Sequence, residues 1–483
     1  MMGWSASRRA FLRAMAAGAG GALVAPHLLG ALEWDRRARI LRDGVEPDGW
    51  DRVPGILARI VAPTFRARDF VITSYGAKAD GQTDCTSAIR QAILACNAEG
   101  GGRVVVPSGT FRTGPIHLLS NVNLHVADGA TLRFSTNPND YLPAVFTRFE
   151  GMELMGYSPL IYAFEQENVA VTGGGVLDGQ AGDEHWWPWK GAKAHGYRAG
   201  NPTQQAARDR LADVMEAGAP VAQRVFADGS FLRPQFIQPY RCRNVLIEDV
   251  HIVNSPMWEI HPVLCTNVTV RRVKVRSHGP NNDGCDPESC RDVLIEECEF
   301  DTGDDCIAIK SGRNADGRRL KAPTENVVIR NCVMKDGHGG VTVGSEISGD
   351  VRWVFAERCT MDSPNLDRAL RLKTNAMRGG VLEHIYMRDV TVGQVSDAIL
   401  QVDFNYEEAA KGAFLPVVRD INMERVSSRK SRYALNLRGF ANAPITDVRL
   451  TDCQFHDVAQ GSIIENVRGL SLTRVSVNGK PVR

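Results

Sequence analysis

One short phrase recurs through this chain and limits its fold more than any other feature. It reads Asn or Asp, then Val, then alternating apolar residues, then a polar pair, then Val or Cys. Clear copies are Asn244-Val245-Leu246-Ile247-Glu248-Asp249-Val250, Asn267-Val268-Thr269-Val270-Arg271-Arg272-Val273, Asp292-Val293-Leu294-Ile295-Glu296-Glu297-Cys298 and Asn326-Val327-Val328-Ile329-Arg330-Asn331-Cys332, at steps of 23, 25 and 34 residues. Fainter copies begin at Asn121, Asn168, His384, Thr446 and Leu470. Such a period marks a solenoid. The segments are short, with no helical pattern between them, so they read as strands and the architecture as an all-β parallel β-helix. Each turn then leaves a sheet edge for the next, and backbone hydrogen bonds run along the axis. The chain has 483 residues, which would otherwise suggest about three domains. Stacked repeats instead make one long core.

The last position of the phrase holds Val250 and Val273 in two copies and Cys298 and Cys332 in two others; Cys453 and Cys359 fit the same slot. A site that accepts Val or Cys is an interior stack, in which cysteine acts as a small hydrophobe. Of the eleven cysteines, this leaves others free to pair, with Cys285 joined to Cys290 or Cys306 as candidate bridges. Their spacing is not that of a zinc site, so no metal is expected. The 57 basic and 56 acidic residues nearly cancel to +1, and no basic field for nucleic acid exists. Beyond the N-terminal leader no apolar run is long enough to span a membrane.

The leader carries Ser7-Arg8-Arg9-Ala10-Phe11-Leu12-Arg13 before a small-residue apolar run. This resembles a twin-arginine export signal, with residues 1–31 removed and a periplasmic or secreted product. Cleavage takes three arginines and no acid, leaving a net charge near −2. Residues 32–67 form a mixed lead-in whose 56–60 stretch caps or crosses the domain, and 68–483 form the β-helix. Residues 85–98 show helical spacing, with Ile89, Ala92, Ile93 and Cys96 on one face and Thr83 or Asp84 as cap. This helix is expected to cover the open first turn of the solenoid. Residues 180–233 break the period and form a long loop beside the groove. They contain a polar helical stretch near 206–217 and Trp186-Trp187-Pro188-Trp189. These tryptophans either stack on a ligand's rings or pack the loop down.

Four motifs follow one another in the clearest part of the repeat. They are Asn281-Asn282-Asp283, Gly303-Asp304-Asp305, Gly337-His338-Gly339 and Arg371-Leu372-Lys373, with Asp283, Asp304, His338 and Arg371 separated by 21, 34 and 33 residues. Each step is about one turn, so the motifs should line one face. Neighbouring turns lie about 4.8 Å apart. Strand alternation would send Asp304 and Asp305 apart unless Gly303 allows a bend. Clustered carboxylates cannot all ionise, so one should keep a proton near neutrality. A protonated carboxyl beside an ionised one is what glycoside hydrolysis requires. Arg371 and Lys373 share a face by period-2 alternation and can hold a uronate, the guanidinium as a fork and the ammonium as a point charge.

With these motifs in this order, the chain resembles glycoside hydrolase family 28, the polygalacturonase family. The family signatures are Asn-x-Asp, Gly-Asp-Asp, Gly-His-Gly and Arg-Ile-Lys. Here Leu372 replaces Ile and Asn282 replaces Thr, both mild departures. The resemblance covers residues 68–480. It implies a right-handed parallel β-helix and hydrolysis of α-1,4-galacturonosidic bonds with inversion. By this resemblance Asp304 is the general acid, Asp283 and Asp305 activate water, and His338 tunes the acid or orients the sugar. Arg371, Lys373 and Asn281 bind the uronate. The 180–233 insertion is similar to loops of exo-acting bacterial members. The implied partner is an acidic polysaccharide, polygalacturonate or pectin fragments; no cofactor is implied, and the oligomeric state stays open. Two alternatives remain. One is a pectate-lyase-like enzyme, with the three aspartates as calcium ligands. The other is a non-catalytic glycan-binding β-helix.

Overall fold

The computed structural model describes residues 49–482. The expected leader and the first part of the lead-in lie outside the described residues. From Asp69 onward the chain coils as a right-handed parallel β-helix. A 13-stranded sheet and a 14-stranded sheet run along it. A third sheet begins with Ile116–His117, Ile161–Phe164 and Ile237–Tyr240 and continues as six strands from Ile307–Ile309. Single bridges Ile237↔Ile260, Ile260↔Cys285 and Cys285↔Ile307 join its two parts. Within these sheets every strand pairing among the described residues is parallel except the last, Val475–Val477 with Lys480–Val482.

The repeated phrase is the first sheet and the bend that leaves it. Its leading residue adopts left-handed backbone in every clear copy, with φ of 57° at Asn244, 59° at Asn267, 56° at Asp292 and 60° at Asn326. Asn and Asp tolerate that region best among non-glycine residues. Their side chains also form an axial ladder. Asn168 Nδ2 donates to Asn121 Oδ1 at 2.9 Å, Asn244 to Asn168 at 2.8 Å, and Asn267 to Asn244 at 2.7 Å. Further along each copy, Ile247, Val270, Ile295 and Ile329 align in register and are buried. Fully burying such a side chain is worth about 1.5–3 kcal/mol, and the stack repeats this contribution along the core. The second polar residue (Asp249, Arg272, Glu297, Asn331) is again left-handed and turns the chain into the second sheet. The Val-or-Cys slot then points inward, with Val250, Val273, Cys298 and Cys332 all buried.

All eleven cysteines are free and buried, so the candidate bridges from Cys285 to Cys290 or Cys306 do not form. Cys285 occupies the third-sheet row between Ile260 and Ile307. Cys290 belongs to a different row with Cys265 and Cys242.

The helix expected at 85–98 is Thr86–Ala98. Asp84 Oδ1 accepts from the Thr86 amide at 2.9 Å, and Ile89, Ala92, Ile93 and Cys96 are buried against the first strands. The described part of the lead-in crosses the outer face of the first sheet. A short helix, Val53–Leu57, lies on strands Arg291–Glu296 and Thr324–Arg330. Arg59 then grips Asp292 with two bonds of 2.7 and 3.2 Å.

The long insertion lies between strands Val176–Asp178 and Ile237–Tyr240 and holds the helix Gln205–Glu216. Leu211 and Met215 of that helix share a small core with Phe149, Met152 and Leu154 of an antiparallel hairpin and with Trp258. Trp186 is buried against Tyr141 and Trp189, and Trp187 Nε1 donates to the Ser255 carbonyl at 2.9 Å. Of the two roles open to these tryptophans, the geometry gives them packing.

Candidate active site

The four motifs meet at one corner of the coil. Asn281 to Asp283 lie in the bend after strand Lys274–Ser277, and Gly303 to Asp305 in the bend after Glu299–Thr302. Gly337 to Gly339 occupy the bend after Val333–Met334, while Arg371 and Lys373 sit on strand Arg368–Lys373. Successive turns are in register, so residues 21 and 34 positions apart become neighbours. Ligand oxygens of Asp283, Asp304 and Asp305 all lie within 4.8 Å of one another. The bend at Gly303 overrides strand alternation and brings Asp304 and Asp305 together. A Cβ on Gly303 would stand 2.3 Å from the Gly279 carbonyl. One on Gly339 would stand 3.0 Å from Asp305 Oδ1, so the histidine turn passes the carboxylate only without a side chain there.

The three carboxyls have different surroundings. Asp305 is fully buried and receives Lys373 Nζ at 2.8 Å, Thr342 Oγ1 at 2.9 Å and Arg371 at 3.2 Å. Burial pushes its carboxyl up, but Lys373 and Arg371 together hold it far below the usual range. Asp304 is partly exposed and bonds His338 Nδ1 at 3.0 Å. Burial raises Asp304 as well, but the His338 bond, the His338 charge and the charge of Lys373 together hold its carboxyl low. The same bond raises His338 to about 9. Asp283 is buried with Oδ1 unpaired among the described residues. Burial first, and then the negative charge of Asp304, push it up to about 8. At neutral pH the proton of this cluster therefore rests on Asp283.

Of the remaining expected residues, Asn281 points its amide at Asp304 from 3.5 Å, while its Oδ1 accepts from the buried Arg233 at 2.8 Å. Arg371 and Lys373 are both engaged by Asp305, and Arg371 Nε is buried without a partner among the described residues.

Three contributors were not legible in the motifs. Lys310 is buried between Asp286 at 3.4 Å, Asp283 at 3.5 Å and Glu346 at 3.5 Å, with the Trp258 ring 4.3 Å away. Period-2 alternation along Ile307-Ala308-Ile309-Lys310 was the available signal. The register Ile309↔Val343↔Leu372 places Lys310 in the same axial row as Lys373. Glu259 is buried beside Asp283; burial and that neighbour keep its carboxyl neutral. The Tyr406 ring lies 5.2 Å from Lys373 Nζ and 5.7 Å from the Arg371 guanidinium, in a loop that no repeat announces.

One side of the corner is walled. Arg208 of the insertion helix meets Glu150 of the hairpin turn at 2.6 Å, and Glu150 also meets Arg313 at 3.2 Å. Arg224 binds Asp316 at 2.7 Å, and the buried Arg148 binds Glu288 at 2.8 Å. With their attractions paired in this way, hairpin and insertion are fixed to the coil rather than hinged on it. The aspartate trio has the donor type of a cation site. Lys310, Lys373 and Arg371 already supply the positive charge a calcium ion would bring, and the ion would have to displace them.

Fold and site together fit a polysaccharide-cleaving β-helix that carries a cluster of three carboxyls beside two cations. The profile of Glycosyl hydrolases family 28 matches residues 227–476. A second profile, Rhamnogalacturonase A/epimerase, pectate lyase-like, matches residues 70–133. An exopolygalacturonase from Thermotoga maritima superposes with a TM-score of 0.87 and 45% identity over 89% of this chain and 96% of that one. A probable polygalacturonase from Vitis vinifera is 27% identical over 84% of this chain and 79% of its own. An exo-poly-alpha-D-galacturonosidase from Dickeya chrysanthemi is 28% identical over 70% of this chain and 57% of its own. The chain belongs to glycosyl hydrolase family 28, and it is a glycoside hydrolase rather than a β-eliminating enzyme or a passive glycan-binding coil.

Proposed function

We propose that this hydrolase removes terminal units from α-1,4-linked polygalacturonate or pectin fragments. The observation that carries the reading is the convergence of Asp283, Asp304 and Asp305 beside two cations, in a corner closed on one side by the insertion. Arg371 and Lys373 hold the uronate at the cleavage point. Asp304 is the most accessible of the three carboxyls and delivers the proton to the leaving oxygen. The cluster supplies that proton from Asp283. Asp283 and Asp305 then hold and activate the attacking water. The trio is tighter than the carboxyl separation of about 6.5–9.5 Å usual for an inverting pair. The stereochemistry is therefore read from the product rather than from that distance, with inversion expected from the family. The same proposal places the enzyme outside the cytoplasm, exported by its twin-arginine leader.

The test is a digest of polygalacturonic acid by the purified protein. Reducing ends without ultraviolet-absorbing products, and monomer or dimer from the first minutes, are expected. Unsaturated products would overturn the hydrolytic roles. A ladder of long oligomers would overturn the exo mode.

A further inference from the structure

The insertion is joined to the catalytic corner by a chain of contacts that leaves two donors without partners. Trp187 lies so close to Gly279 that a Cβ there would sit 2.2 Å from the indole. The turn Trp187–Lys190 is thereby seated beside the bend that carries Asn281. The Gln204 backbone N–H donates to the Trp189 carbonyl at 2.8 Å, and Gln204 Oε1 accepts from Arg233 Nε at 3.0 Å. Arg233 passes the contact on to Asn281 at 2.8 Å. Gln204 is 1% exposed, yet its Nε2 has no hydrogen-bond partner among the described residues.

Lys190 is the second unsatisfied group. Its side chain is half-buried and forms no ion pair or hydrogen bond among the described residues. Glu150, Arg233, Arg208 and Asp304 are the charges that act on it. Glu150 is already engaged by Arg208 and Arg313. A half-buried cation without a partner is disfavoured, and a ligand carboxylate at Lys190 relieves that cost. Such a group is what the ring of a terminal uronic acid presents.

We infer that Lys190 takes the carboxylate of the terminal uronate, while the buried Gln204, through Arg233 and Asn281, positions the turn that carries it. The inference rests on the exo reading above. It assigns the two uronate grips to different sugars: Arg371 and Lys373 act at the cleavage point, and Lys190 acts at the closed end. The insertion then selects chain ends by charge as well as by blocking the groove.

The experiment compares trigalacturonate with an analogue whose terminal carboxylate is reduced to the neutral alcohol. Wild type should prefer the acid form. Lys190→Met should raise KM for the acid form about 10- to 100-fold, as expected for one lost charge-assisted bond, and leave the neutral analogue unaffected. Lys190→Arg should restore part of the preference, and Gln204→Leu should raise KM for both substrates. The ratio of kcat/KM between the substrates does not depend on the fraction of protein folded. Monomer-only digestion with an unchanged ratio in Lys190→Met would overturn the pocket and leave the exo mode standing. Long mixed oligomers from wild type on polygalacturonate would overturn both.

Discussion

Replacing His338 by Gln isolates the charge that sits beside Asp304. Glutamine keeps a donor near the carboxylate, which His338 Nδ1 meets at 3.0 Å, but it cannot carry a proton. Two charges 4 Å apart attract by about 4 kcal/mol at an effective dielectric of 20 and by about 1 kcal/mol in water. The His338 side chain is 52% exposed and that of Asp304 16% exposed, so the pair falls toward the lower figure. We take about 1–2 kcal/mol, a factor of about 5–30 in rate. His338 is held at about 9 in the folded protein, above the ordinary histidine range. Its stabilising charge is therefore fully present below about 6.5 and is lost as pH rises through about 9. At pH 6 the variant should fall below wild type in kcat/KM by that factor. Removing a positive charge makes the carboxyl cluster hold its proton more tightly. The alkaline limb, which follows Asp283 at about 8 and feels His338 through Asp304, should therefore move upward. The two profiles converge as wild type loses its own histidine charge. Initial-rate profiles from pH 4 to 10, with product release excluded as the slow step, read this directly. An alkaline limb that stays in place or moves down would refute the charge argument.

Other expectations concern single groups. Asp304→Asn should lower kcat by about a thousandfold, within the range for losing a general acid, with KM little changed; near-normal turnover in a stopped assay would remove Asp304 from that role. Lys373→Ala strips the 2.8 Å partner from Asp305, so both KM and the acidic limb of kcat should rise, and a change in KM alone would separate the uronate grip from the support of Asp305. Asp283→Asn should abolish turnover yet raise the melting temperature at pH 7, because ionising Asp283 in the folded state is disfavoured and that cost grows as pH rises from the unfolded value of about 3.9 toward 8; a lower melting temperature would contradict it. Product anomers followed by proton NMR in the first minutes should be β from the α-linked substrate, and an α product would replace inversion by retention.

The phrase from Asn244 onward was sufficient to read the coil. Each of its positions obeys a local rule: left-handed backbone at the Asn, alternation through the Ile, a bend at the polar pair, and an inward Val or Cys. Register then follows, because a slip by one residue would expose the row from Ile247 to Ile329. The four motifs were legible for the same reason, since one period is one turn and their spacing places them at one corner. The absence of cysteine bridges was not legible, because pairing depends on which axial row each thiol joins. Cys285 and Cys290 are five residues apart in sequence and belong to separate rows.

Sequence by itself determined the coil, the corner and the three aspartates. Tertiary structure decided which aspartate keeps the proton. That choice depends on burial and on charges from other turns: Lys373 and Arg371 on Asp305, His338 on Asp304, and for Asp283 a Lys310 that it shares with Asp286 and Glu346. It also decided the closed end of the corner. The insertion has no period, so its position beside Asn281 rests on Trp187 against Gly279 and on Arg233 between Gln204 and Asn281. Such contacts join residues 29 positions apart or more. Periodic segments carry their neighbours in their spacing, whereas an insertion finds its neighbours only by packing.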